Sequence, residues 1–196
     1  DVIVNGVALP AAMSSDERKS LRAALGVPAG RVFGLFVGRL AVAKNLPCLL
    51  DALAALAPDQ RPWIALAGEG PSRSQLERQR IGKSLQSDLK LLGERTDATR
   101  LMQAADFLVL CSHQEGMSNA LLEAMAAACP VIASDVGRLI SDLRLRIDVP
   151  DLLAALERSS TSGIHVYDPN DAAQDKRPAT VRSWLPIILA GALFGL

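Results

Sequence analysis

Asp106-Phe107-Leu108-Val109-Leu110-Cys111 leads through Ser112-His113-Gln114-Glu115-Gly116-Met117 into Ser118-Asn119-Ala120-Leu121-Leu122-Glu123-Ala124-Met125, and Pro130-Val131-Ile132-Ala133 follows. The first run is apolar at consecutive positions, as in a strand buried on both faces. Ser118 stands where an N-cap belongs, and Leu121, Leu122, Ala124, Met125 and Ala128 continue at helical spacing. The last run is a second buried strand. Strand, loop, helix and strand in this order make one unit of a parallel sheet. Two carboxylates, Glu115 and Glu123, bracket the start of the helix, and a helix start is a natural seat for phosphate.

The same unit recurs upstream. Residues 32–38 form a buried strand, and Asn45-Leu46-Pro47 opens a helix through Leu49, Leu50, Leu53 and Leu56, with Pro47 in its first turn. Trp63 to Ala67 is the next strand, ended by the turn Gly68-Glu69-Gly70-Pro71. Ser72 to Leu85 reads as an amphipathic helix, Leu89 to Leu92 as a strand, and Asp97 to Ala105 as a short helix with Asp97 as N-cap. Five strands alternating with helices predict an α/β fold, a Rossmann-like parallel sheet covered on both faces. Gly38-Arg39, Gly68-Glu69-Gly70, Gly93-Glu94-Arg95, Ser112 to Gly116 and Ser134 to Gly137 all follow strands, where such sheets bind ligands.

Composition narrows the function. The 196 residues suffice for one domain with a tail, and 49% apolar content excludes global disorder. Lys plus Arg equals Asp plus Glu at 21 each, and aromatics are only 4%, so neither charge nor stacking surface argues for nucleic acid. Three unpaired-looking cysteines, Cys48, Cys111 and Cys129, point to a reducing compartment. Cys111-Ser112-His113 does not make a metal site, because two histidines in the chain cannot complete a ligand set.

We divide the chain into an entry segment (1–30), a Rossmann-like domain (31–137), an atypical helical segment (138–158), a linker (159–183) and an apolar tail (184–196). The opening residues lack the pattern of a signal peptide, and with no initiator Met they read as the start of a piece of something longer. Trp184 to Leu196 is 13 residues of apolar sequence preceded by Lys176, Arg177 and Arg182, which reads as a truncated membrane span or equally as a docked tail. A full span needs about 20 residues. The expected location is cytoplasmic, and a membrane-spanning reading of the tail would put it at the inner face of the membrane.

The loops can hold an anionic diphosphate. Arg39 and Lys44 leave the first strand and offer two cations, and the helix after Glu115 adds amide donors and its positive dipole end. Together they could neutralise a leaving diphosphate without a metal. The chain has neither Asp-x-Asp after a strand nor a Walker lysine loop, so kinase or ATPase chemistry fits less well. Glu123, just over a turn into the helix, could accept two vicinal ribose hydroxyls, while Glu115 would face a sugar. Singly these residues have ordinary readings: an acid complementing a helix dipole, a surface arginine, a tight Gly-x-Gly turn.

Several motifs occur in order: Val37-Gly38-Arg39-Leu40 with Lys44-Asn45, Ala67-Gly68-Glu69-Gly70-Pro71, Leu92-Gly93-Glu94-Arg95, Ala104-Ala105-Asp106, Glu115 to Ala126, and Pro130 to Ala133. Over about residues 4–137 the sequence resembles the C-terminal half of a GT-B glycosyltransferase of family 4, the group 1 glycosyl transferases. The resemblance implies retaining transfer of a sugar from a nucleotide diphosphate donor, with no metal and no other cofactor. It implies that Arg39 and Lys44 bind diphosphate and Glu123 the ribose. Glu115 would be the catalytic-centre contact to the sugar. The amides of Gly116, Met117, Ser118, Asn119, Ala120 and Leu121 would meet sugar and phosphate, and Glu94 and Arg95 the nucleobase. The expected partners are the donor, a saccharide or lipid-linked acceptor, and an N-terminal Rossmann domain that this sequence lacks, so the fragment alone should turn over little. After Gly137 the family pattern is lost, and Gly163 to Pro169 only faintly echoes a late strand. A non-catalytic, membrane-tethered scaffold in polysaccharide assembly is the alternative, and a GT-B sugar-nucleotide epimerase a weaker one.

Overall fold

A computed structural model describes residues 7–113 and 118–134, and the backbone of residues 164–167. The expectations for Glu115, Gly116 and Met117, for the segment 138–158 and for the tail 184–196 lie outside the described residues. The elements run α1 (Ser15–Leu25), β1 (Phe33–Val37), a 3-10 turn (Val42–Lys44), α2 (Leu46–Ala55), β2 (Trp63–Ala67), α3 (Arg73–Gly82), β3 (Leu89–Gly93), α4 (Ala98–Ala104), β4 (Phe107–Leu110), α5 (Asn119–Ala126), β5 (Val131–Ser134) and β6 (Ile164–Tyr167).

The sheet order is β3-β2-β1-β4-β5-β6. β1 to β5 pair in parallel, and β6 adds antiparallel to β5. Successive strand residues face opposite layers, as the pleat requires. Phe36, Ile64, Leu66 and Val109 join Leu49, Leu50 and Leu53 of α2 and Leu76 of α3 in one core. Phe33, Leu35, Trp63 and Leu108 join Leu25 of α1, Leu101 and Met102 of α4 and Ala124 of α5 in the other. The expected two-sided sheet is therefore present, and its consecutive apolar runs reflect burial on both faces.

Two ranges hold more structure than their sequence assignments gave them. Residues 1–30, read as an entry segment, contain helix α1. Its capping box joins Ser14 and Glu17, and Gly26 closes it in the left-handed conformation. Residues 159–183, read as a linker, contain β6. Strand pairing with β5 organises that run, and its four residues alone carry little periodic signal.

The amino-terminal edge of the sheet is fastened by two ionic clusters. Asp106 accepts from Arg18 at 2.6 Å, Arg22 at 3.0 Å and the Phe33 amide at 2.7 Å, tying α1 beneath β1 and β4. Asp88, its side chain only 4% exposed, pairs with Arg31 at 2.9 Å and Arg61 at 3.2 Å. The site lies at the opposite edge.

Candidate functional site

At the carboxyl ends of the strands, backbone hydrogen bonds carry the sheet on into its loops. The Gly38 amide donates to the Ala67 carbonyl at 3.0 Å, Leu40 to Glu69 at 2.9 Å, Ser72 to Leu40 at 2.9 Å and Gly68 to Gly93 at 2.7 Å. The loops after β1, β2 and β3 are thus stitched side by side. Glycine is what permits this approach. A Cβ on Gly68 would lie 1.9 Å from the Gly38 carbonyl oxygen, and one on Gly70 would lie 2.3 Å from that of Leu40. The Gly68-Glu69-Gly70 turn is therefore a packing requirement of the site floor.

A cavity of about 510 Å³ opens over this floor, lined by Arg39, Gly68, Glu69, Gly70, Glu94 and Arg95 among others. The structure brings together Arg39, Glu94 and Arg95, three residues singled out from sequence. Their charges are handled differently. Glu69 is held in an ion pair by Arg73 of α3. Arg95 donates from Nε and Nη2 to the two oxygens of Asp97 at 2.8 and 2.7 Å. Those hydrogen bonds push the Arg95 guanidinium up from its ordinary value and hold the Asp97 carboxyl down. Among the described residues, the side chains of Arg39 and Glu94 have no hydrogen-bond or ion-pair partner.

Lys44 sits at the end of the 3-10 turn on the β4 side. The His113 amide donates to the Ala43 carbonyl at 2.9 Å, and the Cys111 thiol to the Lys44 carbonyl at 3.5 Å. These bonds fasten the Lys44 turn to the loop after β4. The buried Ser134 hydroxyl donates to the Ser112 carbonyl at 2.6 Å and anchors the loop's first residues. At its other end Ser118 caps α5, its hydroxyl accepting from the Leu121 amide at 3.4 Å. β1 and β4 are neighbours at the point where the strand order reverses, and sheets of this kind bind ligands in that crevice.

Three expectations change in detail. Asp97 stands at the N-cap of α4 but makes no side-chain cap, because Arg95 takes both its oxygens. The Leu121 amide is occupied by the helix's own cap. α5 ends at Ala126, and Ala128 adopts a positive φ of 54°. Glu123 is the fifth residue of α5, a little over one turn in, as its spacing predicts. Cys111 is buried, and that burial pushes its thiol up to about 12. Sequence reading overlooked Asp97 as the holder of Arg95, since Arg-x-Asp before a helix looks the same whether the acid caps or pairs.

The strand order, the glycine-stitched loops and the crevice define a Rossmann-like domain of the GT-B kind. The chain belongs to the family of group 1 glycosyl transferases, whose model matches residues 32–158. That match runs past Gly137, where the sequence reading lost the pattern, and starts well after residue 4. The chain is 36% identical over 138 residues to a D-inositol 3-phosphate glycosyltransferase of Saccharomonospora viridis, covering 62% of this chain and 31% of that protein. It is 32% identical over 143 residues to the lipopolysaccharide core biosynthesis mannosyltransferase LpsB of Rhizobium meliloti, covering 69% and 40%. Among solved structures, Anabaena Alr3699/HepE in complex with UDP-glucose aligns with a TM-score of 0.66 at 29% identity, over 74% of this chain and 41% of that one. The match thus spans less than half the length of each of these proteins. No helix among the described residues is long and apolar enough to cross a membrane.

Proposed function

We propose that this domain holds the donor of a retaining, metal-independent glycosyltransferase that moves a sugar from a nucleotide diphosphate to a polysaccharide or glycolipid acceptor. One observation carries the reading: Arg39, a cation without a described partner, stands at the β1 end of the crevice whose other wall leads to the capped start of α5. Diphosphate placed there meets Arg39, the Lys44 ammonium and the positive end of the α5 dipole. Charge that develops on the leaving diphosphate is stabilised by groups already in place. Glu123 would take the ribose hydroxyls. Glu115 would face the sugar, and the cavity at Glu94 and Arg95 would take the base.

Two relatives named above bear on which part of the reaction lies here. One is named for inositol 3-phosphate and the other for the lipopolysaccharide core, yet both share this stretch. Unlike acceptors with a common matched region support donor binding as the shared task. The acceptor would then be chosen by sequence outside the match, and the chain alone would turn over little.

The test is thermal unfolding with UDP, GDP or ADP. A nucleotide at one hundred times its Kd should raise the melting temperature by about 5–10 °C. Arg39→Ala with Lys44→Ala should abolish the rise while leaving the unliganded melt in place. No shift with any of the three nucleotides would overturn the donor reading and favour a scaffold role.

A further inference from the structure

We propose that Asp97 is a positioning residue for the nucleobase, acting through Arg95; the inference rests on the donor reading above. Arg95 lines the cavity at the carboxyl end of β3, whereas Asp97 itself does not. The pair is bidentate, with both carboxylate oxygens on Nε and Nη2 of one guanidinium. Such a fork fixes the plane of the guanidinium as well as its place. It occupies one edge and leaves Nη1 and the two flat faces available. A guanidinium face is a stacking platform for an aromatic ring, and every nucleobase has such a ring.

A second observation points the same way. Asp97 occupies the N-cap of α4, a position where Asp normally accepts from the helix's own amides. It makes no such bond and gives both oxygens to Arg95 instead. Departures from a local folding rule concentrate where function requires them. The pair is also only partly covered, with side chains 34% and 31% exposed, so it is a weak candidate for a stabilising ion pair. Held without a ligand, Arg95 would otherwise sample many rotamers, and ordering it would weaken binding. Glu69, which lines the same cavity, is taken by Arg73, and Arg95 gives its ion pair to Asp97 rather than to the cavity's own acids.

Calorimetric titration of the full chain with UDP and with inorganic pyrophosphate tests this. Asp97→Asn keeps a side chain of the same shape at the N-cap position of α4 but cannot form the charged fork. It should weaken UDP by about tenfold and leave pyrophosphate unchanged. Arg95→Ala should do the same, and the double variant should be no worse than Arg95→Ala alone. Asp97→Glu should recover much of the loss. Asp97→Asn binding UDP like the wild type overturns the proposal, as does an equal loss for pyrophosphate or a double variant that loses the product of the two single effects. A wild type that binds neither ligand overturns the donor reading and this inference with it. A wild type that binds UDP beside an unaffected Asp97→Asn overturns this inference alone.

Discussion

Gly68→Ala should unmake the floor of the site. The added Cβ would sit 1.9 Å from the Gly38 carbonyl oxygen, whereas real Cβ contacts begin near 3.0 Å, so the two backbones must part by about 1.1 Å. The contact is backbone against backbone and cannot be relieved by a rotamer change. Gly68 also has a φ of 145°, which an alanine rarely adopts. The hydrogen bonds from Gly38 to Ala67, 3.0 Å, and from Gly68 to Gly93, 2.7 Å, flank the clash and would be pulled apart. Backbone strain of about 1–3 kcal/mol and two lost hydrogen bonds at about 1 kcal/mol each come to about 3–5 kcal/mol. At an m of about 2 kcal/mol/M, the urea midpoint should fall by roughly 2 M. Gly82→Ala is the control: it lies at the end of α3 with nothing within 4 Å of an added Cβ, and its midpoint should hold or rise. Urea unfolding followed by circular dichroism reads both. A Gly68→Ala midpoint within about 0.3 M of the wild type would refute the close-approach argument.

Asp106→Ala should cost about 2–3 kcal/mol at neutral pH, a figure held down because a third of the side chain meets solvent. Burial works to raise this carboxyl, but the Phe33 amide and the guanidiniums of Arg18 and Arg22 outweigh it and hold it below the ordinary value. A depressed folded pKa gives stability that is present above the unfolded value, about 3.9, and lost as pH falls through the folded one. The gap between wild type and variant should therefore close below about pH 4, and equal urea midpoints at pH 7 would count against the clamp. The thiols of Cys111 and Cys129 are pushed up to about 12 by burial, and that of Cys48 is also raised by burial. All three should resist iodoacetamide at pH 8 until urea unfolds the chain, and native labelling of Cys111 seen by mass spectrometry would contradict its buried bond to Lys44.

The sheet was legible because its strands are short, consecutively apolar and bounded by glycine or polar turns. Trp63–Ala67 reads from sequence with the bounds the structure gives. Helix α1 was missed, although Ser14-x-x-Glu17 and Gly26 carry both of its cap signals, because its apolar face is thin and only Leu25 is buried. β6 lies where sequence reading found only a faint echo of a late strand inside a linker, for a different reason. Its place is set by pairing across β5, a long-range contact that leaves little mark on four residues. At the site, residue identity pointed to Arg39, Glu94 and Arg95, and the cavity does join them. Partnership was not legible. Whether Asp97 caps or pairs, and whether Glu69 faces Arg39 or Arg73, depends on the angle at which each loop leaves its strand.

The two edges of the sheet use the same residue types to opposite ends. At the amino-terminal edge, Arg18, Arg22, Arg31 and Arg61 all point their guanidiniums at Asp106 or Asp88. Those pairs join α1 and the connections between strands to the sheet, and their charge is cancelled where it is formed. At the carboxyl edge the loops are joined by main-chain bonds instead, from Gly38, Leu40, Gly68 and Ser72. Main-chain bonds hold a loop in place without consuming any side-chain charge. Glu69, one of two acids that share a cavity with Arg39, is drawn off by Arg73 of α3. Arg39 makes no ion pair with either acid of the cavity and remains available to an anion. Had the loops been fixed by side-chain ion pairs, as the other edge is, the same residues would make a stable sheet end with no positive charge left over. The glycines at 68 and 70 matter for this reason: by letting backbone bond to backbone, they leave the cation for the ligand.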